Sequence, residues 1–310
     1  MKSVNIAVIG ECMIELQKIS GQLKQTYGGD TLNTALYLTR LLKAQEINIS
    51  YVTALGQDSF SSEMLEAWQE EGIDGDLVLT IEDKQPGIYC IETDEFGERR
   101  FQYWRNESAA KFMLQQPESA ALLDKLHTYD AVYLSGITLA ILTETGRNAL
   151  FDFLKSFSSK GGKVYFDNNY RAKLWKSREE AIACYRKVLQ CTDIALLTFE
   201  DEQELFGDLD VEQCIERTTS MGVAEIIIKR GSKACLVVEQ NGVNYVEPDA
   251  VSNIVDTTAA GDSFSAGFLA RRLTGGNAEQ AAQFGHGVAG AVIQHKGAII
   301  PRELMPEFQL

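Results

Sequence analysis

Residues 256–268 read DTTAAGDSFSAGF, a run of small residues that leads into a helix. Phe264 and Phe268 stand four residues apart, so the spacing predicts a helix that begins near Ala259. The first backbone N–H groups of such a helix have no partner within it and attract anions. Asp262 lies in the predicted first turn, where a carboxylate can accept the proton of an attacking hydroxyl. The stretch therefore predicts a phosphoryl-transfer site, although an isolated Asp there would equally suit the helix dipole.

Short apolar runs alternate with amphipathic segments of helical length along the rest of the chain. The runs that predict buried strands are 4–9, 50–55, 131–135, 164–167, 194–198 and 225–229. The segments that predict helices are 33–44, 59–72, 146–160, 178–190, 210–221, 258–274 and 277–295. Strands that alternate with helices pair in parallel. The pattern therefore predicts an α/β fold with a doubly wound, mostly parallel sheet flanked by helices.

Two segments interrupt this alternation. Residues 86–106 predict a β-hairpin with its turn at 94–97, and residues 11–27 form a second extended segment. We expect a single domain over residues 1–310, in which these two segments build a small β-sheet lid. A lid suits phosphoryl transfer because it excludes water, which would otherwise accept the phosphoryl group.

Composition excludes several classes of function. The chain has 310 residues, of which 45% are hydrophobic, and it can therefore bury a large core. With a net charge of −15 and no Lys/Arg cluster, no nucleic-acid partner is expected. No apolar stretch is long enough to cross a membrane and the N-terminus lacks signal-peptide features, so we expect a cytoplasmic protein. The six cysteines include no C-x-x-C pair, which argues against structural zinc.

A second motif, GGDTLNTALYLTR, occupies residues 28–40. With DTTAAGDSFSAG at 256–267 it resembles the two signatures of the ribokinase-like (PfkB) carbohydrate kinases, and the resemblance spans essentially the whole chain. That family more often has Gly where this chain has Ala259. The resemblance implies ATP-dependent phosphorylation of a sugar hydroxyl. It also implies Asp262 as catalytic base, beside an anion hole formed by Ala259, Ala260 and Gly261.

The first motif also predicts contacts with the sugar. Gly28 and Gly29 let the backbone approach a ligand closely. Asp30 or Thr31 can cap the helix that follows, and Asn33 offers donors and acceptors to sugar hydroxyls. Without the second signature, the same residues would fit a plain glycine turn and helix cap.

Four segments are closer to sugar-acid kinases of this family than to the family at large, namely 8–15, 101–110, 133–140 and 167–175. A sugar acid carries a carboxylate, for which Arg is the preferred bidentate partner. Strand alternation places Tyr103 and Arg105 on one face, and Arg171 follows a strand at the sheet edge where ligands bind. The resemblance implies substrate contacts by Gly29, Tyr89, Tyr103, Arg105 and Arg171.

Other substrates and functions remain open. A neutral hexose, pentose or nucleoside would leave Arg105 and Arg171 as solvated or salt-bridged charges. A non-catalytic sugar-binding protein is disfavoured, since binding alone does not need the carboxylate of Asp262. A dinucleotide oxidoreductase is disfavoured because no G-x-G-x-x-G follows the first strand, and the chain has no Walker P-loop.

The resemblance also indicates a nucleotide site. Where the family has an N-x-x-E element that orders water around magnesium, this chain has TFED at 198–201, so Asp201 keeps a carboxylate. Mg²⁺ is expected because the phosphate charge of ATP needs neutralisation. An acidic first helical turn is the alternative for Asp201 and its neighbours. The residues that resemble nucleotide contacts are Asn169, Thr198, Lys229, Gly231 and His286, of which His286 would equally suit a structural role.

Two further expectations come from the resemblance alone. Residues 295–298, HKGA, resemble the family's monovalent-cation region near Asp256, and potassium binding is left open. Members of the family often dimerise through their lids, so a homo-oligomer joined by the lid is also left open.

Overall fold

The computed structural model describes residues 3–19, 21–93 and 99–308. Its strands are β1 (Val4–Ile9), β2 (Met13–Ile19), β3 (Gln22–Gly28), β4 (Ile47–Leu55), β5 (Val78–Thr80), β6 (Ile88–Thr93), β7 (Arg99–Trp104), β8 (Ala131–Ser135), β9 (Lys163–Asp167), β10 (Ile194–Thr198), β11 (Glu225–Arg230), β12 (Lys233–Glu239) and β13 (Gly242–Val246).

The helices follow the predicted pattern closely. They are α1 (Asp30–Leu42), α2 (Ser59–Glu71), α3 (Ser119–Leu126), α4 (Gly136–Ile141), α5 (Glu144–Ser159), α6 (Arg178–Leu189), α7 (Phe199–Phe206), α8 (Val211–Ser220), α9 (Ala260–Leu273) and α10 (Ala278–Val292). All seven predicted helices are present. The short helices α3, α4 and α7 were not predicted.

The large sheet has nine strands within the described ranges, in the order β13-β12-β11-β10-β9-β8-β1-β4-β5. The strands from β11 to β5 are parallel, whereas β12 and β13 pair antiparallel at one edge. The prediction of a doubly wound, mostly parallel sheet is confirmed. The edge strands β5, β12 and β13 were not predicted.

Helices cover both faces of this sheet. Within β1, Ile6 and Val8 belong to one buried cluster with residues of α1, α2, α9 and α10. Ala7 and Ile9, which point the other way, belong to a second cluster with residues of α3 to α8. The strand is therefore apolar on both sides, as expected of a parallel strand between two helical layers.

A separate four-stranded sheet has the order β3-β2-β6-β7. Strands β6 and β7 form the predicted antiparallel hairpin, with Tyr89 opposite Tyr103. Its predicted turn at 94–97 lies outside the described residues. Residues 11–27 fold back on themselves as the hairpin β2–β3 instead of forming one extended segment. The two predicted insertions therefore do meet in one small sheet.

The chain order creates a crevice at one edge of the large sheet. Strand β1 has β4 on one side and β8 on the other, so later strands are added on opposite sides of it and the strand order reverses there. Ligands of open α/β sheets bind at such a point, outside the carboxyl ends of the strands. Within the described ranges, none of the helices combines the length and the apolar character that crossing a bilayer requires.

Candidate active site

A cavity of about 390 Å³ lies at the carboxyl edge of the large sheet and is bounded on one side by the small sheet. Fourteen of the seventeen predicted site residues line it. They are Gly29, Asn33, Tyr89, Tyr103, Arg105, Asn169, Arg171, Thr198, Asp201, Lys229, Ala259, Ala260, Gly261 and Asp262. Residues more than 200 positions apart in sequence therefore meet in one site.

The helix that carries Asp262 begins at Ala260, one residue after the predicted start. Asn33 of α1 donates a hydrogen bond from Nδ2 to Asp262 Oδ2 at 2.8 Å. Burial, together with the charge of Asp30, raises the pKa of Asp262 to about 7. A carboxyl group that titrates near neutral pH is well matched to accept a proton from a hydroxyl.

Three helices point uncapped N-termini into the cavity. Elsewhere, side chains such as Asp58 before α2 and Ser177 before α6 accept hydrogen bonds from the first turn. Helices α1, α7 and α9 have no such side-chain cap, and their first residues or N-caps line the cavity. Their N-termini therefore present positive dipole ends to a ligand.

The predicted anion hole is the start of α9. Ala259 adopts a left-handed conformation, with φ 60° and ψ 16°, which turns the chain sharply into the helix. The Ala260 N–H donates to the Thr257 carbonyl at 3.2 Å and is therefore partly engaged. A Cβ placed on Gly261 would lie 3.7 Å from Lys229 Nζ, so the lysine stands beside the helix start.

Lys229 brings a buried cation to this helix terminus. Its Nζ donates to Asp167 Oδ2 at 2.7 Å and to Ser265 Oγ at 3.3 Å. Asp167 ends β9 and Lys229 lies near the end of β11, so the pair joins two of the parallel strands. An ammonium next to a helix N-terminus strengthens the positive field that a phosphate would meet.

The first motif approaches the cavity as predicted at Gly29 but not at Gly28. A Cβ on Gly29 would lie 2.2 Å from the Glu11 carbonyl oxygen, so the backbones pack too closely for any side chain. Gly28 does not line the cavity. A Cβ there would lie 2.3 Å from the Tyr89 hydroxyl, so Gly28 makes room for that tyrosine, and its substrate contact stays a prediction.

The predicted cap of α1 is wrong. The N-cap is Gly29, and neither Asp30 nor Thr31 caps the helix with its side chain. The Asp30 carboxylate instead accepts a hydrogen bond from Asn169 Nδ2 at 2.7 Å. Asn33, one turn later, has a buried Oδ1 without a hydrogen-bond partner, which a sugar hydroxyl would satisfy.

Both candidate carboxylate-binding arginines already contact acidic groups. Arg105, which follows β7, forms a buried ion pair with Glu11, which follows β1. Arg171 lies 3.6 Å from Asp201, and its side chain is 54% exposed. The two guanidinium groups line the same cavity and retain N–H groups for a ligand.

Aromatic side chains of the small sheet form one wall of the cavity. The rings of Tyr89 and Tyr103 lie 5.8 Å apart, and Phe101 stacks on Tyr103 at 6.3 Å. The Tyr89 hydroxyl donates to Glu15, while burial and that carboxylate raise the pKa of Tyr89. The wall is thus an apolar surface with hydroxyl groups, as sugar binding requires.

The predicted nucleotide residues divide into two groups. Asn169, Thr198, Lys229 and Asp201 line the cavity. Asn169 has a φ of 25°, an uncommon conformation for a residue other than glycine, and Asn168 Oδ1 accepts its N–H at 2.8 Å. Burial raises the pKa of Asp201, whose Oδ2 accepts the Tyr170 N–H at 3.0 Å.

Gly231 and His286 form the second group and do not line this cavity. Gly231 lies in the turn between β11 and β12 with φ 60°. His286 packs edge-on against Phe264 at 5.0 Å, its Nε2 lies 3.1 Å from the Val246 carbonyl oxygen, and burial lowers its pKa. Their nucleotide contacts remain predictions.

Sequence reasoning missed three acidic residues that line the cavity, namely Glu11, Asp30 and Asp167. Glu11 and Asp167 lie at the carboxyl ends of β1 and β9, where ligands of parallel sheets bind. That position was the signal that could have found them. Asp30 was considered only as a helix cap, because its partner Asn169 is 139 residues away.

Comparison with known proteins shows the family of this chain. The model of the pfkB family carbohydrate kinases matches residues 3–304. The chain is 53% identical over 308 residues to the 2-dehydro-3-deoxygluconokinase of Escherichia coli K12, covering 98% of this chain and 99% of the relative. It is 51% identical to the 2-dehydro-3-deoxygluconokinase of Dickeya dadantii, covering 99% and 100% of the two chains.

A solved structure shows the same fold at lower identity. The putative ribokinase II of Escherichia coli in complex with ATP and Mg²⁺ superposes with a TM-score of 0.82 at 21% identity, covering 99% of this chain and 97% of that one. The matches at both levels extend over nearly the full length. The chain therefore belongs to the pfkB family of carbohydrate kinases.

Proposed function

We propose that this chain phosphorylates 2-keto-3-deoxygluconate with ATP and forms 2-keto-3-deoxy-6-phosphogluconate. The relatives at 51% and 53% identity are named for that activity, and this chain matches them over nearly their whole length. The observation that carries the proposal is the cavity itself. It places the buried carboxylate of Asp262 beside a helix N-terminus, and it places Arg105 and Arg171 in the same chamber.

Different residues of the cavity serve as base, as charge stabiliser and as orienting group in phosphoryl transfer. Asp262 accepts the proton of the terminal hydroxyl as its oxygen attacks the γ-phosphorus. The start of α9 and the ammonium of Lys229 stabilise negative charge on the transferring group. Asn33 holds the Asp262 carboxylate at 2.8 Å, which fixes the direction of the base.

The two arginines favour a sugar acid over a neutral sugar. A carboxylate ligand would accept hydrogen bonds from guanidinium groups that the protein holds at the cavity wall. Glu11 and Asp201 offset part of the positive charge of the two arginines. The carboxylate of the ligand would accept the hydrogen bonds that these acids leave free. A neutral sugar would leave these N–H groups without an acceptor, which costs affinity.

The cavity lining also offers polar groups for the phosphates of ATP and for Mg²⁺. Oxygen ligands are those that Mg²⁺ prefers, and the partly buried carboxylate of Asp201 lines the cavity on the side of Thr198. We infer that Asp201 holds the ion through water, where Mg²⁺ would neutralise phosphate charge. Asn169, Thr198 and Lys229 would contact the nucleotide phosphates.

Three finer assignments belong to the same proposal. The small sheet acts as a lid, since its aromatic wall covers the cavity and excludes water. Its exposed Leu23 and Trp104, at 65% and 58%, offer an apolar surface for a second copy. A monovalent cation would bind near Asp256, whose Oδ2 accepts the Gly297 N–H at 2.7 Å.

A screen of ADP release over sugar acids and neutral sugars tests the proposal. We expect turnover with 2-keto-3-deoxygluconate to exceed that with fructose, ribose and nucleosides. Arg105→Ala should raise KM for the sugar acid about tenfold or more, since a charge-assisted hydrogen bond contributes about 1.5–3 kcal/mol. It should change KM for a neutral sugar much less.

A matched control comes from the same strand. Arg100 is exposed on β7 and does not line the cavity, so Arg100→Ala should leave both KM values near wild type. Equal losses on acidic and neutral sugars in Arg105→Ala would contradict the carboxylate role. Turnover confined to neutral sugars would contradict the substrate itself.

A further inference from the structure

Five carboxylates line the cavity within the described residues, and they differ in their partners. Three are matched by a cation, namely Glu11 by Arg105, Asp167 by Lys229 and Asp201 by Arg171. The other two, Asp30 and Asp262, instead accept hydrogen bonds from the neutral amides of Asn169 and Asn33, at 2.7 Å and 2.8 Å. These two acids are therefore the least neutralised groups of the site.

One helix turn connects these two acids. Asp30 is the first residue of α1, and Asn33, three positions later on the same turn, donates to Asp262. Thr34, on the next position, donates from Oγ1 to the Asp262 carbonyl at 3.4 Å. Helix α1 therefore holds Asp30 in a fixed relation to the α9 turn that carries the base.

Asn169 fixes the other side of Asp30. Its φ of 25° is unusual for a residue other than glycine and costs backbone energy. That conformation presents Nδ2 to the Asp30 carboxylate, which ties α1 to the loop after β9. The arrangement keeps Asp30 aimed into the cavity without giving it a counter-ion.

We propose that Asp30, which helix α1 and Asn169 hold in the same cavity as Asp262 without a cationic partner, is a positioning residue that acts on this base through its carboxylate. This inference rests on the proposed kinase function. It adds a role to a residue that sequence reasoning treated only as a helix cap. Asp30 acts on the base through its electric field and transfers no group itself.

The charged and titratable groups that face Asp262 support this assignment. From α1 they are Asp30 and Tyr37, from β8 Tyr133, from β9 Asp167 and from β11 Lys229. Burial raises the pKa of both tyrosines, so they stay neutral at physiological pH. Lys229 offsets the charge of Asp167 at 2.7 Å. Asp30 is the remaining acid, and after burial its charge is the largest cause of the raised pKa of Asp262. Burial raises the pKa of Asp30 as well, so the two carboxyl groups compete for a proton.

The proton balance of the step explains why this field matters. The substrate O–H bond breaks and its proton moves to an Asp262 oxygen. The freed electron pair forms the new O–P bond, while the bond from the γ-phosphorus to the bridging oxygen breaks and its electrons leave with ADP. A stronger base takes this proton more readily, and a neighbouring negative charge makes Asp262 a stronger base.

The test is the pH profile of kcat/KM in Asp30→Asn, which keeps the shape of the side chain and removes its charge. In the wild type the acidic limb should lie near pH 7, where Asp262 titrates. In Asp30→Asn we expect that limb to move about one pH unit lower, since a like charge is removed. The plateau of kcat should fall roughly threefold because the base is weaker, while KM for the sugar changes less.

Asp30→Glu is the matched control, because it restores the charge at nearly the same place. Its acidic limb should return towards the wild-type position. A limb that stays in place in Asp30→Asn, or that moves equally in Asp30→Glu, would overturn the proposal. So would a large rise in KM without a shift of the limb, since that would identify Asp30 as a direct sugar contact.

A second measurement uses the wild-type protein, so its result does not depend on whether a variant folds. Carbon-13 NMR of labelled aspartate side chains should show two carboxyl groups whose titrations depend on one another. Two independent titrations near the ordinary aspartate value would overturn the proposal. If the wild type turns over no sugar at all, the kinase function fails, whereas normal turnover with an unmoved limb rejects only the role of Asp30.

Discussion

Replacement of Asp262 by Asn should abolish turnover and stabilise the fold at the same time. The two side chains have the same shape, and an amide oxygen at position 262 can still accept the hydrogen bond that Asn33 Nδ2 now donates at 2.8 Å. The change therefore removes one charge and little else. Loss of a general base costs about 10²- to 10⁴-fold in rate, and affinity for the sugar should change little.

The size of the stability gain follows from the raised pKa of Asp262, which lies at about 7 instead of 3.8. The unfolded chain releases this proton above about pH 3.8, whereas the folded chain holds it until about pH 7. Ionisation therefore opposes folding across that interval, and the full penalty is present above pH 7. A shift of this size corresponds to about 4 kcal/mol, which is the upper limit of what Asp262→Asn can recover.

Urea unfolding at pH 8 and pH 5, together with an ADP-release assay, measures both effects. At pH 8 the variant should unfold at a higher urea concentration than the wild type. At pH 5 the difference should shrink, because the folded wild type then carries a protonated carboxyl. Retained turnover in Asp262→Asn would refute the role of the base. A variant that is less stable than the wild type at pH 8 would refute the claim that burial of the ionised Asp262 destabilises the folded protein.

Two further substitutions test the surroundings of the site. Ala259→Gly should raise stability by up to about 1 kcal/mol in urea unfolding, since the left-handed φ of 60° strains alanine, and turnover should stay within about twofold because the backbone N–H remains. Turnover lost in a well-folded Ala259→Gly protein would show that the alanine methyl group matters. His286→Gln should lower the melting temperature by a few degrees, because the contacts with Phe264 and the Val246 carbonyl are lost. A KM for ATP raised more than about fivefold would instead support the predicted nucleotide contact.

The sequence predicted the large sheet well because each of its central strands is a short apolar run that can be recognised without reference to distant residues. The apolar run at 4–9 and its counterparts are buried on both faces, and each run carries that property within a few residues. Strand β5 has only three residues, too short for a periodic pattern. Strand β2 ends at Ile19 and β3 begins at Gln22, and so short a connection left the segment 11–27 looking like one extended segment.

The site was less predictable where contacts are distant in sequence. The base and the anion hole lie within one motif, so their spacing places them together. The acids that set the electrostatics come from other strands, as Glu11 does when it pairs with Arg105 across 94 residues. Gly28 was assigned to the ligand because glycine signals a close approach, and only the packed structure shows that the group approaching is the Tyr89 hydroxyl.

The distribution of charge in the cavity explains how a chain with a net charge of −15 can bind two anions. Among the described residues of the cavity, each of the three cations lies near a carboxylate, which leaves only Asp30 and Asp262 of the five acids without a cationic partner. The dipoles of α1, α7 and α9 then supply the positive field, and they add no formal charge. Asp262 stands at one of these termini and is nevertheless hard to ionise, because burial and Asp30 outweigh the helix dipole. In-line transfer from ATP to a hydroxyl requires a base whose pKa lies near 7 beside a helix N-terminus that attracts phosphate. Asp262 and the start of α9 provide this combination.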